Sequence, residues 1–228
     1  MINTAAIVIQ GNFNPPIFHP EWFERYKILP IQETQWAKSQ RTKKQKIELE
    51  GETLFIEKGP IISIEPTKAI VNFESSVLKV ELRKFEQGTT NPSYFDELKN
   101  AVLRVCLMLS HTPAKAVGIN FVGFIEANNV AMKLREIFVG DNATLTNCFT
   151  DEFLVGASVK QEIPDGSLNC SINGKVDKDK EGVVVTFNYH RDLSEKNLKF
   201  ASEVISSNFD LDLARTNQIL DLIGRSIH

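Results

Sequence analysis

Residues 93–125, SYFDELKNAVLRVCLMLSHTPAKAVGINFVGFI, leave the chain the least freedom. Phe95, Leu98, Val102, Val105, Cys106 and Leu109 recur at three- and four-residue steps, which places them on one face of a helix. Leu103, Leu107 and Met108 widen that face beyond a surface stripe, so the helix is expected to lie against a large sheet. Ser93 with Asp96 fits a capping box, and Asn91-Pro92 precedes it as a helix start. Pro113 has no amide hydrogen and ends the helix near Ser110. The apolar run from Ala116 to Ile125 then reads as a central strand.

Before this stretch the pattern has a two-residue period. Residues 5–10 predict a first strand rather than a basic leader. GNFNPPIFHP, rich in proline, predicts an extended segment, with a short helix from Pro20 to about Lys27. Alternation at Ile47/Leu49, Thr53–Ile56, Ile62/Ile64, Ala69/Val71/Phe73 and Leu78/Val80/Leu82 predicts an antiparallel meander. Gly59-Pro60 is expected to break it, and Pro66-Thr67 and Ser75-Ser76 to supply turns. After the central strand the pattern predicts a helix over 127–138 ended by Gly140-Asp141-Asn142. Strands follow over 144–161, 167–173 and 182–190. Pro164-Asp165-Gly166 is a turn in which glycine takes the positive torsion, and residues 174–180 form a charged hairpin tip. A helical region from Leu198 to Ile227 is expected to be broken near Asn208, with Leu211, Ala214, Ile219, Leu220 and Ile223 on its apolar side.

The expected class is therefore α+β: tandem strand-helix-meander-helix units forming an antiparallel sheet covered by helices. The first half spans 1-113 and the second 114-228, joined as one compact pseudo-duplicated domain. This element order resembles the half-domain of the TATA-binding-protein-like fold, in which two such units build one curved sheet. That resemblance implies architecture and not function. GNFNPPIFHPEWFERY and HTPAKAVGIN are also similar to a family of uncharacterised bacterial proteins, a resemblance that implies no activity.

Composition narrows the function. At 228 residues, 42% hydrophobic and 24% charged, the chain can bury a core without disulfides or metals. No apolar run reaches membrane-spanning length. Three cysteines, Cys106, Cys148 and Cys170, show no ligand spacing, and a reduced, cytoplasmic setting is the expectation. The net charge is −3; residues 1–113 carry 14 basic and 13 acidic side chains, and residues 114–228 carry 12 and 16. A sheet that neutralises phosphates would be more basic.

No phosphate-binding glycine loop, zinc spacing or nucleophile motif is present. His111 beside Ser110 sits at a helix end, where a histidine is expected for structural reasons. His190-Arg191-Asp192 reads as a strand-end charge cluster. The carboxylates Asp165, Asp177, Asp179 and Glu181 alternate with lysines, which would oppose a cation. Catalytic, cofactor-binding and metal-binding residues are thus not assigned, and no cofactor is expected. Gly118 and Gly123 mark a bulge or a close approach inside the central strand. Phe13, Pro15, Pro16, Phe18 and Trp22 form a stiff aromatic segment suited to protein contact, with packing on its own sheet as the competing role. Lys38, Arg41, Lys43, Lys44 and Lys46 form the basic cluster, read as a solvated loop or as a nucleic-acid contact. The leading expectation is a non-catalytic interaction or assembly component, with an unidentified protein partner or a second copy of itself and no membrane. The alternatives are a nucleic-acid-binding module and a small-molecule binder with a pocket between sheet and helices.

Overall fold

The computed structural model describes residues 2–14, 17, 22, 25–28, 38–40, 43–49, 52–64, 69–74, 77–83, 93–140, 156–177, 180–194 and 196–227; between 38 and 83 it describes backbone pairing. The strands are β1 (Ile2–Gly11), β2 (Lys38–Gln40), β3 (Lys43–Leu49), β4 (Glu52–Ile64), β5 (Ala69–Glu74), β6 (Val77–Arg83), β7 (Ala114–Glu126), β8 (Gly156–Ile163), β9 (Gly166–Asp177) and β10 (Lys180–Asp192). The helices whose bounds are described are α1 (Ser93–Met108), α2 (Val130–Phe138) and α3 (Leu198–Ile227). The class is α+β, as the sequence pattern predicts.

All ten strands join one antiparallel sheet in the order β2-β4-β5-β6-β1-β7-β10-β9-β8, with β3 also on β4. Five of them, β1, β7, β8, β9 and β10, carry described side chains. One row of facing residues crosses eight strands: Ile62, Val71, Val80, Ile7, Ile119, Tyr189, Leu168 and Gln161. Strand alternation then sorts the side chains. Ala5, Ile7 and Ile9 of β1, Val117, Ile119 and Phe121 of β7, and Val183, Val185 and Phe187 of β10 are buried on one face. With a side-chain period of two, a slip of one residue in any of these pairings would turn one set out of the core.

Among the described residues, helices cover that face alone. α1 contacts β1 and β6, α3 contacts β7 and β10, and α1 and α3 contact each other. α2 covers the β8–β9 end. Leu98, Val102, Val105 and Cys106 of α1 are buried, as their spacing predicts, whereas Leu107 and Met108 are exposed. The apolar stripe is therefore narrower than the sequence suggests. Lys99 bridges the two long helices through Asp210 at 2.9 Å. The hydrogen bond from Thr112 N to Leu109 O closes a tight turn over residues 109–112 after the helix, just before Pro113, and Leu198 N donates back to Thr112 O.

Several elements differ from expectation for identifiable reasons. Gly59-Pro60 does not end a strand: β4 continues through it, and its two residues oppose the single Phe73 between the Lys58–Glu74 and Ile61–Asn72 pairs, a bulge of one extra residue. On the other edge of β4 the partner changes from β3 to β2 at the same place. Proline cannot donate to a ladder, so a bulge is where a strand tolerates it. Residues 38–40 and 43–46, expected in a polar loop, are strand, and 43–46 extends into β3 the alternation expected from Ile47 on; both pair with that edge. In the β8–β9 hairpin the positive φ of 62° belongs to Asp165, not to glycine. Gly166 is needed for closeness instead, since a Cβ there would lie 2.0 Å from the His190 carbonyl oxygen.

The largest difference is α3, a single 30-residue helix. Asn208 does not break it; its side-chain amide donates to Val204 O at 2.8 Å inside the helix. The buried stripe runs Leu198, Ala201, Ile205, Phe209, Asp212, Thr216, Leu220. Leu211, expected on the apolar side, is exposed. Asp212 and Thr216 belong to the core stripe because β10 offers them partners. Arg191 donates to both Asp212 carboxylate oxygens at 2.7 and 2.9 Å, and the Tyr189 and Thr216 hydroxyls meet at 3.0 Å. Arg191 Nε remains without a hydrogen-bond partner.

Burial pushes the Asp212 carboxyl up, against the opposing pull of Arg191 and Arg215. A carboxyl that titrates higher when folded loses stability as pH rises through that value, so the pair orients α3 on β10 more than it adds net stability. Replacing either Arg191 or Asp212 by alanine should cost about 3–5 kcal/mol, because a buried charge is left alone. The double change Arg191→Met with Asp212→Leu should recover most of that loss. Urea unfolding of the three variants measures both effects, and a double variant as weak as the singles would contradict the assignment.

Candidate functional site

Among the described residues nothing covers the face of the sheet opposite the helices, and at its centre lies a trough of about 360 Å³. Its lining comes from three neighbouring strands: Thr4, Ala6, Val8 and Gln10 of β1, Ala116, Gly118, Asn120 and Val122 of β7, and Asn188 and His190 of β10. Register explains why they meet. Ala6 faces Asn120, which faces Asn188, which faces Asn169 of β9. The next row is Val8, Gly118, His190 and Ser167, and the row on the other side is Thr4, Val122, Thr186 and Ser171. The floor is low, at Ala6, Ala116 and Gly118. Around it stand two asparagines, a glutamine and a threonine, each able to donate and accept hydrogen bonds. The one titratable side chain of the lining is His190.

The two glycines singled out in β7 have different causes. A Cβ at Gly123 would lie 2.6 Å from Leu220 Cδ2, so this glycine seats α3 on the sheet. It also lies at the irregularity in register between Ile2 and Thr4. Gly118 faces the trough, and a Cβ there would meet nothing nearer than Asn120 Nδ2 at 3.5 Å, an ordinary contact. Among the described residues nothing requires glycine at 118, although glycine weakens a strand interior. Gly118→Ala should therefore keep or raise stability by up to about 1 kcal/mol. Gly123→Ala should lose about 1–3 kcal/mol through overpacking against Leu220. Thermal unfolding of the two variants compares them directly.

A second cleft, of about 320 Å³, lies where α1 ends and α3 begins, lined by His111, Pro113, Lys196, Asn197 and Phe200. The first amides of α3 are already used: Leu198 N donates to Thr112 O, Lys199 N to Ser110 O, Phe200 N to Asn197 Oδ1 and Ala201 N to Asn197 O. This helix end has no free amide to offer an anion. His111 is exposed beside the cleft.

The other residues singled out in the sequence are placed as follows. His190-Arg191-Asp192 is divided by alternation: Arg191 points into the helix layer, His190 lines the trough, and Asp192 accepts from Ser194 N at 2.8 Å. Glu181 is drawn away from the hairpin tip and accepts from Asn129 N and Val130 N, at 3.1 and 2.6 Å, capping α2. Among the described residues no three histidine, cysteine, aspartate or glutamate side chains converge as a metal site. Phe13 is 4% exposed and belongs to the core, and Trp22 packs partly buried against it. Asn12 N donates to Pro113 O, which holds the end of β1 beside the start of β7 and turns Phe13 inward. Pro15, Pro16, Phe18 and Arg41 lie outside the described residues. Lys38 falls in β2, and Lys43, Lys44 and Lys46 fall in β3, far along the sheet from the trough. Of the trough lining, the sequence singled out only Gly118 and His190; the other residues are of types that are not distinctive before register assembles them.

Compared with known proteins, the chain matches no family model, no curated protein and no solved structure. Among the described residues no helix is long and apolar enough to cross a membrane.

Cys106 and Cys170 are buried free thiols. Burial pushes the Cys106 thiol up to about 12. A thiol reacts as its thiolate, so Cys106 should resist iodoacetamide at pH 8 while the protein is folded and react in denaturant. Peptide mass spectrometry of the two samples checks this; ready labelling of the folded protein would contradict the packing of α1.

Proposed function

We propose that the protein is a non-catalytic binding component that engages a partner protein through the open face of its sheet, centred on the trough between β1 and β7. The observation that carries this reading is Gly118. It makes a low floor that the fold itself does not require, under a rim of neutral hydrogen-bonding side chains. Such a floor lets another backbone come close, and amides can pair with both the N–H and the C=O groups of a polypeptide.

The same reading takes 1-113 and 114-228 as equivalent halves of a TATA-binding-protein-like sheet. It is supported by the strand order, which runs β1-β6-β5-β4 outward on one side and β7-β10-β9-β8 on the other. It is also supported by the single row of facing residues that passes through Ile7 and Ile119 at the middle. A second reading, a small-molecule binder, draws on the trough volume of about 360 Å³, at the lower end of ligand pockets. Here, however, the pocket lies outside the sheet and not between sheet and helices.

A photoreactive residue placed at Val8 or Asn188 in the native host tests the proposal. It should crosslink one protein reproducibly, and the same residue at Leu222 on the helix side should not. Gly118→Trp, which fills the floor, should abolish that crosslink while the protein stays folded. Recovery of nucleic acid instead, with affinity falling steeply with salt, would favour the nucleic-acid alternative and its lysines at 38, 43, 44 and 46. Equal labelling from both faces would remove the proposal.

A further inference from the structure

We infer that β8 is a self-association edge: two copies of the chain pair their β8 strands antiparallel, with Gln161 of one copy facing Gln161 of the other. This is independent of what the trough binds. β8 ends the sheet, and among the described residues its strand partner is β9 alone. Residues 158–162 are all exposed, and Val159, on the helix-side parity of the strand, is 55% exposed. A strand edge of this kind presents unpaired N–H and C=O groups and is either blunted or joined.

The side chains select one register. Slipping a strand by one residue exchanges its faces, so two-residue slips are the ones to compare. With Gln161 on the twofold axis, Lys160 faces Glu162 of the second copy and Glu162 faces its Lys160. Val159 faces Ile163 on the opposite side of the sheet, also twice. The register centred on Lys160 sets two lysines face to face, and the register centred on Glu162 sets two glutamates face to face. Facing like charges destabilise a strand pair, and facing opposite charges stabilise it. Within one chain, Lys160 and Glu162 approach only to 3.9 Å, and their side chains are 66% and 81% exposed. An exposed contact of that length contributes little and leaves both groups available to a neighbour.

The arrangement is isologous, with the same patch on both copies, as a closed dimer requires. Its axis stands perpendicular to the sheet. Two ten-stranded sheets would become one, with both troughs on the same side and both helix layers on the other. The competing role for Lys160 and Glu162 is to repel strangers from the edge, and charge reversal separates the two roles.

Light scattering on the full chain should give twice the monomer mass of 25.7 kDa. Lys160→Glu should halve the observed mass with an unchanged circular dichroism spectrum, and Lys160→Glu combined with Glu162→Lys should restore it. Gln161→Cys should form a reducible dimer under mild oxidation, whereas Asn169→Cys on β9 should behave as the unsubstituted chain does. A monomer at every soluble concentration overturns the inference. So does a dimer whose mass survives Lys160→Glu, or one that Gln161→Cys fails to link.

Discussion

The pairing of β1 with β7 is the contact on which the other layers depend. Each strand has a hydrogen-bonded neighbour on both edges, β6 beyond β1 and β10 beyond β7. Their backbone groups are therefore satisfied in the middle of the sheet, where water is scarce. Ile7 and Ile119 face each other at 0% exposure. α1 lies on the β1 side of this junction and α3 on the β7 side, and each helix completes the apolar cover of the other. Phe121 ties the layers together: its ring lies 6.5 Å from Phe95 of α1, 5.7 Å from Phe209 of α3 and 6.2 Å from Tyr189 of β10. Each such aromatic pair contributes about 0.5–1.5 kcal/mol beyond burial. Separating β1 from β7 would leave each long helix facing half of the surface it covers.

How much of this was legible in the sequence varied with the type of signal. β7 and the buried side of α1 were readable because their apolar residues keep one period without interruption. α3 was harder. Hydropathy assigns an aspartate to the solvent side, so Asp212 was left off the expected apolar side and Leu211 placed on it. The missing information lay in β10. Val183, Val185, Phe187 and Tyr189 set the inward parity of that strand, and Arg191 continues it. An arginine in step with a core strand calls for a buried carboxylate, and that was the available clue to Asp212. Gly59-Pro60 and the lysine-rich start of β3 failed for a different reason. Local propensity disfavours strand at both, and pairing along the length of β4 outweighs it.

The trough was illegible for a geometric reason. Ala6, Asn120, Asn188 and Asn169 are commonplace residues scattered over most of the chain. They form a row only after three strand pairings have been fixed. The aromatic segment shows the converse. Phe13 is conspicuous in sequence, yet its ring fills the interior beside the end of β1, where a large apolar group has the most water-exposed area to lose. Distinctive residues marked the core, and plain ones formed the open surface.

That division has a physical basis. On the helix side, close packing dictates size and shape, and Gly123 is small because Leu220 occupies the space above it. On the open side packing imposes no such demand, and solvated sheet faces ordinarily fill with long or β-branched residues that stabilise the strands. Alanine at 6 and 116 and glycine at 118 go against that tendency at the centre of the sheet, where strand stability matters most. Among the described residues nothing offsets the loss, since Gly118 has only ordinary contacts within reach. A low floor on an otherwise rigid support is what a second molecule lying flat against the sheet would need. The rigidity that α1 and α3 give from behind limits the ordering such a contact would cost.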